Sequence, residues 1–154
     1  MHLNILAIGS DKGSLYQPLL SDYFQRIMRW KVTLQVFDVK GMQDPKRRHE
    51  AESAKLLGAL EPGDAGIILL DMGGKSLTSP GFASFLQDQE MRGLKSLTFV
   101  LGGADGVTEA LKARAQHVLS FGLPTWPHLL ARLLLLEQLY RAQQIIRGHP
   151  YHTA

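Results

Sequence analysis

Short apolar runs alternate along this chain with stretches whose apolar residues recur at helical spacing. Such alternation favours a mainly parallel sheet whose strands are buried on both faces by helices. The apolar runs cover 2–8, 32–39, 66–70, 97–101 and 118–121. The spacing predicts helices over 15–28, 50–60, 79–91, 108–116 and about 127–146, with Ser79 as N-cap and Pro80 as first helical residue of the third. Gly41 and Pro45, set among Lys40, Lys46, Arg47 and Arg48, make 40–48 a polar, basic loop. The expected fold class is α/β, a mainly parallel sheet with helices on both faces.

In open sheets of this kind ligands sit outside the carboxyl ends of the strands. The loops after Leu70, Leu101 and Phe121 are therefore the ones to inspect. Gly102-Gly103-Ala104-Asp105-Gly106 follows a strand and precedes a helix, so its backbone groups can approach a ligand closely. The same residues also suit a plain tight turn between strand and helix.

Several function classes are disfavoured. The 154 residues fit one domain, and the absence of cysteine removes disulfides, thiol nucleophiles and the usual zinc sets. Gly73-Gly74-Lys75-Ser76 imitates the end of a phosphate loop, but the glycine needed at position 69 is Leu69. No dinucleotide fingerprint follows the first strand, no Gly-x-Ser-x-Gly elbow exists, and the histidines form no metal framework. A net charge of +3 leans only weakly toward an anionic partner. No secretory leader or membrane span is readable, so a cytoplasmic location is expected. Leu129, Leu130, Leu133 to Leu136, Leu139 and Tyr140 occupy nearly every face of the last helix. A second buried surface is expected there, a homodimer interface.

The final third carries specific motifs: Phe99 to Gly106, Leu123-Pro124-Thr125-Trp126-Pro127-His128, Glu137 to Ala142, and Pro150-Tyr151-His152. In this order, with Leu70-Asp71 and Gly74-Lys75 before them, they resemble the RlmH family across essentially the whole chain. Members of that family are bacterial 23S rRNA pseudouridine N3-methyltransferases of the SPOUT superfamily. The resemblance implies a single domain over 1–154 with a carboxyl-terminal trefoil knot in about 65–154. It also implies a homodimer acting on 23S rRNA in the assembled ribosome, with S-adenosyl-L-methionine as cofactor. The knot loops that would hold the cofactor correspond here to Leu70, Gly102, Gly103, Gly122, Leu123, Pro124, Thr125, Trp126 and Pro127. Backbone groups would meet the adenine edge while Leu70, Leu123 and Trp126 cover its face.

The imide nitrogen of pseudouridine is protonated at neutral pH, so a general base should help. His152 is the first candidate and His128 the second, because imidazole is poised near neutrality. A purely structural place for His128 behind Pro127 fits the sequence equally well. Arg141 and Tyr151 would position RNA or close the site, although Arg141 could equally bond a helix end. Two positions depart from the family pattern: Thr153 stands where a basic residue is common, and Met72-Gly73 where charged or bulkier residues are common. The rival readings are a SPOUT enzyme acting on another RNA nucleotide and a knotted protein that only binds.

Overall fold

The computed structural model describes residues 1–152, and of His152 the backbone alone. Strands β1 (His2–Ile8), β2 (Lys31–Phe37), β3 (Ile67–Ser76), β4 (Ser96–Leu101) and β5 (His117–Ser120) form one sheet. Their order is β2-β1-β4-β3-β5, and every pairing is parallel. Helices α1 (Tyr16–Arg26), α2 (Pro45–Gly58), α3 (Ser79–Met91), α4 (Glu109–Arg114) and α5 (His128–Ile146) alternate with them, and a 3-10 turn covers Pro150–His152.

Because side chains alternate across a strand, the inner strands feed two cores. Leu3, Ile5 and Ala7 of β1, with Leu97, Phe99 and Leu101 of β4, face α1, α3 and α5. Leu6, Ile8, Ile67, Leu69 and Val100 face α2 and α4 from the opposite side. Each fully buried Leu, Ile or Phe contributes roughly 1.5–3 kcal/mol of hydrophobic stabilisation. Strand β2 lies at the sheet edge and alternates exposed with half-buried residues, as a strand covered on one face should.

Three of the departures from the sequence reading have a local reason. Helix α2 starts at Pro45, because Asp44 caps it by accepting a hydrogen bond from the Lys46 amide at 3.1 Å. Lys46, Arg47 and Arg48 therefore belong to the first turn of a helix, not to a loop. Helix α3 is capped one residue earlier than expected, by Thr78, whose hydroxyl accepts from the Gly81 amide at 3.1 Å. Strand β3 runs on past Leu70 to Ser76: both Leu70 and Lys75 are in register with Leu119, and residues 71–74 bulge between them. Gly74 passes so close to the backbone of Val118 and Leu119 that a Cβ there would lie 2.7 Å from their carbonyl carbons. The phosphate-loop imitation is thus a strand bulge.

The apolar positions proposed for the first helix do not all face inward, since Leu15 and Met28 are exposed and Leu19 is half-exposed. Instead, buried Gln143 of α5 closes the end of α1. Its Oε1 accepts from the Met28 and Arg29 amides at 2.7 and 2.8 Å, and its Nε2 donates to the Arg26 carbonyl at 3.1 Å.

Candidate active site

At the carboxyl ends of β3, β4 and β5 lies a cleft of about 630 Å³, within the range of about 300–1,000 Å³ common for small-molecule sites. Leu70 lies on its lining, the 102–107 turn forms one wall and the segment from Phe121 to Pro127 another, with His128 and Ala131 of α5 completing it. Eight of the nine residues proposed to hold a cofactor line this cleft: Leu70, Gly102, Gly103, Gly122, Pro124, Thr125, Trp126 and Pro127. Leu123 does not; its side chain is 83% exposed and turns outward.

The wall after β5 is shaped by a residue that sequence reasoning passed over. The buried Ser120 hydroxyl accepts from the Gly122 amide and donates to the Gly122 carbonyl, both at 3.0 Å, which folds the loop back at the strand end. Trp126 then donates its indole N–H to the Phe121 carbonyl at 3.3 Å, which ties its ring to the same loop. On the opposite wall, a Cβ at Gly102 would lie 2.6 Å from Val107, so only glycine lets that turn close so tightly.

His128 opens α5 and lines the cleft. The Nε2 edge of its ring lies against Gly9, just past the end of β1, while the residue as a whole stays exposed to solvent. Partial burial, helped by the nearby Arg132 charge, lowers its pKa from the ordinary 6.5. The imidazole is therefore neutral at pH 7 and able to accept a proton. Arg132 is fully buried beneath it and donates from Nη2 to the Ile8 and Gly9 carbonyls at 3.2 and 2.6 Å. Its Nη1 lies 3.7 Å from Asp11, which opposes the depression of its pKa by burial. An arginine set among the leucines of the first two turns of α5 was the sequence signal for this role.

Arg141 and Tyr151 are gathered elsewhere. Arg141 pairs with Glu137 through Nη2 at 2.7 Å and Nε at 2.9 Å, and stacks 4.9 Å from the Tyr151 ring. Tyr151 donates its hydroxyl to Glu137 at 3.2 Å and packs edge-on against Tyr140. Burial and the Glu137 charge push its phenol up to about 12, so it stays protonated. Glu137 lies more than two turns beyond His128, roughly 13 Å along α5. Of the three proposed chemical residues whose side chains are described, His128, Arg141 and Tyr151, His128 alone lines the cleft. The side chain of His152 and all of Thr153 lie outside the described residues.

A second cleft of about 400 Å³ shares Leu70, Phe121, Gly122 and Trp126 with the first and reaches Phe82 and Leu134. The Ser79 hydroxyl donates to Gln138 at 2.8 Å on its margin, which joins α3 to α5. No helix among the described residues is long and apolar enough to cross a membrane.

A five-stranded parallel sheet with a glycine-walled cleft at the ends of β3, β4 and β5 is the setting for comparison with known proteins. The family described as "Predicted SPOUT methyltransferase" matches residues 1–152. The ribosomal RNA large subunit methyltransferase H of Paramagnetospirillum magneticum is 40% identical over 152 residues, 99% of either chain. The protein of the same name from Dinoroseobacter shibae is 40% identical over 154 residues, 99% of either chain, and that from Carboxydothermus hydrogenoformans 37% over 160 residues, again 99%. The chain belongs to the SPOUT methyltransferase family and, within it, to the family of ribosomal RNA large subunit methyltransferase H.

Proposed function

We propose that this protein transfers a methyl group from S-adenosyl-L-methionine to N3 of a pseudouridine in 23S rRNA of the large ribosomal subunit. The observation that carries the reading is the first cleft, where loops far apart in sequence converge on one glycine-walled, largely apolar space. Its dimensions suit a nucleoside, and close backbone at Gly102 and Gly103 suits recognition of a base by its edges. When bound, the cofactor supplies an activated methyl group. The chain's own task is to hold it, exclude water and take the imide proton, a service worth about 10²–10⁴ in rate.

His152 remains our first choice for the base and His128 the second. His128 has the better-supported protonation state, neutral and facing the cleft. The Arg141–Tyr151 pair is anchored to Glu137, away from the cleft of its own subunit. We therefore propose a homodimer in which the tail of one subunit serves the cleft of the other. The second cleft, the half-exposed Trp126 and the exposed Leu123 provide apolar surface for such a contact. The whole chain, 1–154, acts as one domain, knotted in about 65–154 as in the SPOUT superfamily. Recognition of the assembled ribosome by shape and phosphate contacts places the enzyme in the cytoplasm.

The test is methyl transfer from labelled S-adenosylmethionine to ribosomes lacking the modification, with the product nucleoside identified by mass spectrometry. N3-methylpseudouridine supports the reading. A different methylated nucleoside assigns another RNA target, and cofactor binding without transfer to any ribosomal RNA overturns the enzymatic reading.

A further inference from the structure

Helix α2 contributes nothing to the lining of the first cleft, yet one of its faces grips the turn that walls it. Arg48 and Glu52 share that face by i,i+4 spacing, and Ser53 flanks them. Arg48 Nε donates to Asp105 Oδ2 at 2.8 Å. Ser53, also buried, accepts from the Thr108 amide at 3.0 Å, just where α4 begins. Between these two contacts the Glu52 carboxyl stands against Gly103: a Cβ on Gly103 would lie 2.9 Å from Glu52 Cδ. The whole 103–108 segment, including the lining residues Gly103, Asp105 and Gly106, is thus set from behind by α2.

Glu52 is unusual among these contacts. It is only 7% exposed, and its Oε2 has no hydrogen-bond partner among the described residues. Burial raises its pKa, and Asp105 adds to this against the opposing charges of Arg48 and His49; Asp38, at the end of β2, also raises it. The carboxyl fills the space behind Gly103 by its shape, and with Oε2 unpartnered among the described residues its charge is costly to bury there. The Arg48–Asp105 pair then fixes the distance between helix and turn.

We propose that Glu52 and Arg48 are positioning residues for the cofactor: acting through the 103–106 turn, they set the width of the cleft that takes the nucleoside. The inference rests on the reading of that cleft as the S-adenosylmethionine site. Neither residue touches the reacting atoms, so each should govern cofactor affinity and leave the chemical step alone. A displaced wall can weaken productive binding by about tenfold to a hundredfold.

Calorimetric binding of S-adenosylmethionine and steady-state methyl transfer to unmodified ribosomes test this on the full chain. Glu52→Ala and Arg48→Met should raise Kd and KM for the cofactor about tenfold, with kcat at saturating cofactor within about twofold of the unaltered protein. Glu52→Gln, neutral and nearly isosteric, should restore affinity. Loss of packing alone would lower the folded fraction and leave the KM of the remaining folded protein unchanged. Unaltered cofactor affinity in a folded Glu52→Ala or Arg48→Met protein would overturn the inference, as would a Glu52→Gln protein as weak as Glu52→Ala. If Glu52→Ala does not fold, the half-exposed Arg48 position decides alone. Failure of the unaltered protein to bind S-adenosylmethionine would instead overturn the functional reading on which the inference rests.

Discussion

The ring of His128 fills the space that a side chain on Gly9 would need: Nε2 lies 2.5 Å and Cδ2 2.8 Å from the position of a Cβ there. Gly9 has a φ of +93°, which already favours glycine. Its carbonyl accepts from the buried Arg132 guanidinium at 2.6 Å. The end of the first strand and the start of the last helix are thereby locked together beside the cleft.

Gly9→Ala should therefore lower stability by about 2–5 kcal/mol, from roughly 1–2 kcal/mol of backbone strain and about 1–3 kcal/mol of crowding against the ring. Urea unfolding measures the sum. In a His128→Ala background the crowding part disappears, so the two substitutions should couple favourably in a double-mutant cycle. Simple additivity would show that the ring moves aside freely.

Replacing Arg132 by Met tests the other half of the lock. The Ile8 and Gly9 carbonyls lose their donor, at about 1–3 kcal/mol for each buried acceptor left unpaired, while the burial of a charge is relieved. A net loss of about 1–3 kcal/mol is expected, together with a higher KM for the cofactor as Gly9 and His128 loosen. Stability equal to the unaltered protein would mean that the buried charge cancels its own hydrogen bonds.

Strand and helix order was readable because β1, β3 and β4 are buried on both faces and so appear as unbroken apolar runs. The loops of the cleft were readable for the same reason, since parallel strands place their carboxyl ends on one side. Caps were less legible: Asp44-Pro45 and Thr78 start helices by side-chain geometry that competes with equally plausible neighbours such as Ser79. Residues 71–74 hid a bulge, because Gly73-Gly74 reads as a turn until Gly74 is seen against the backbone of β5. Long-range partners left the least trace. Nothing local marks Glu52 as the neighbour of Gly103, or Gln143 as the cap of α1.

The histidines give the fold a pH dependence of definite sign. His128 and His117 both have pKa values below the ordinary 6.5, chiefly through burial, so the folded state binds their protons less readily than the unfolded chain. Their contribution is fully present above pH 6.5 and is lost as pH falls through the depressed folded values. Denaturation midpoints should fall on acidification below neutrality, and His128→Gln should reduce that slope. A midpoint independent of pH in this window would remove the basis for a desolvated His128.

The two candidate bases can be separated by kinetics. His152→Ala should lower kcat by about 10²-fold if it takes the imide proton, with cofactor affinity nearly unchanged, because the cofactor walls come from other segments. The acid limb of the kcat profile should vanish with it. If that limb and most of kcat instead survive in His152→Ala and disappear in His128→Gln, the base is the histidine already in the cleft, and the tail of the chain is left to position RNA. Loss of cofactor affinity at unchanged kcat would assign His152 to the cofactor and not to the proton.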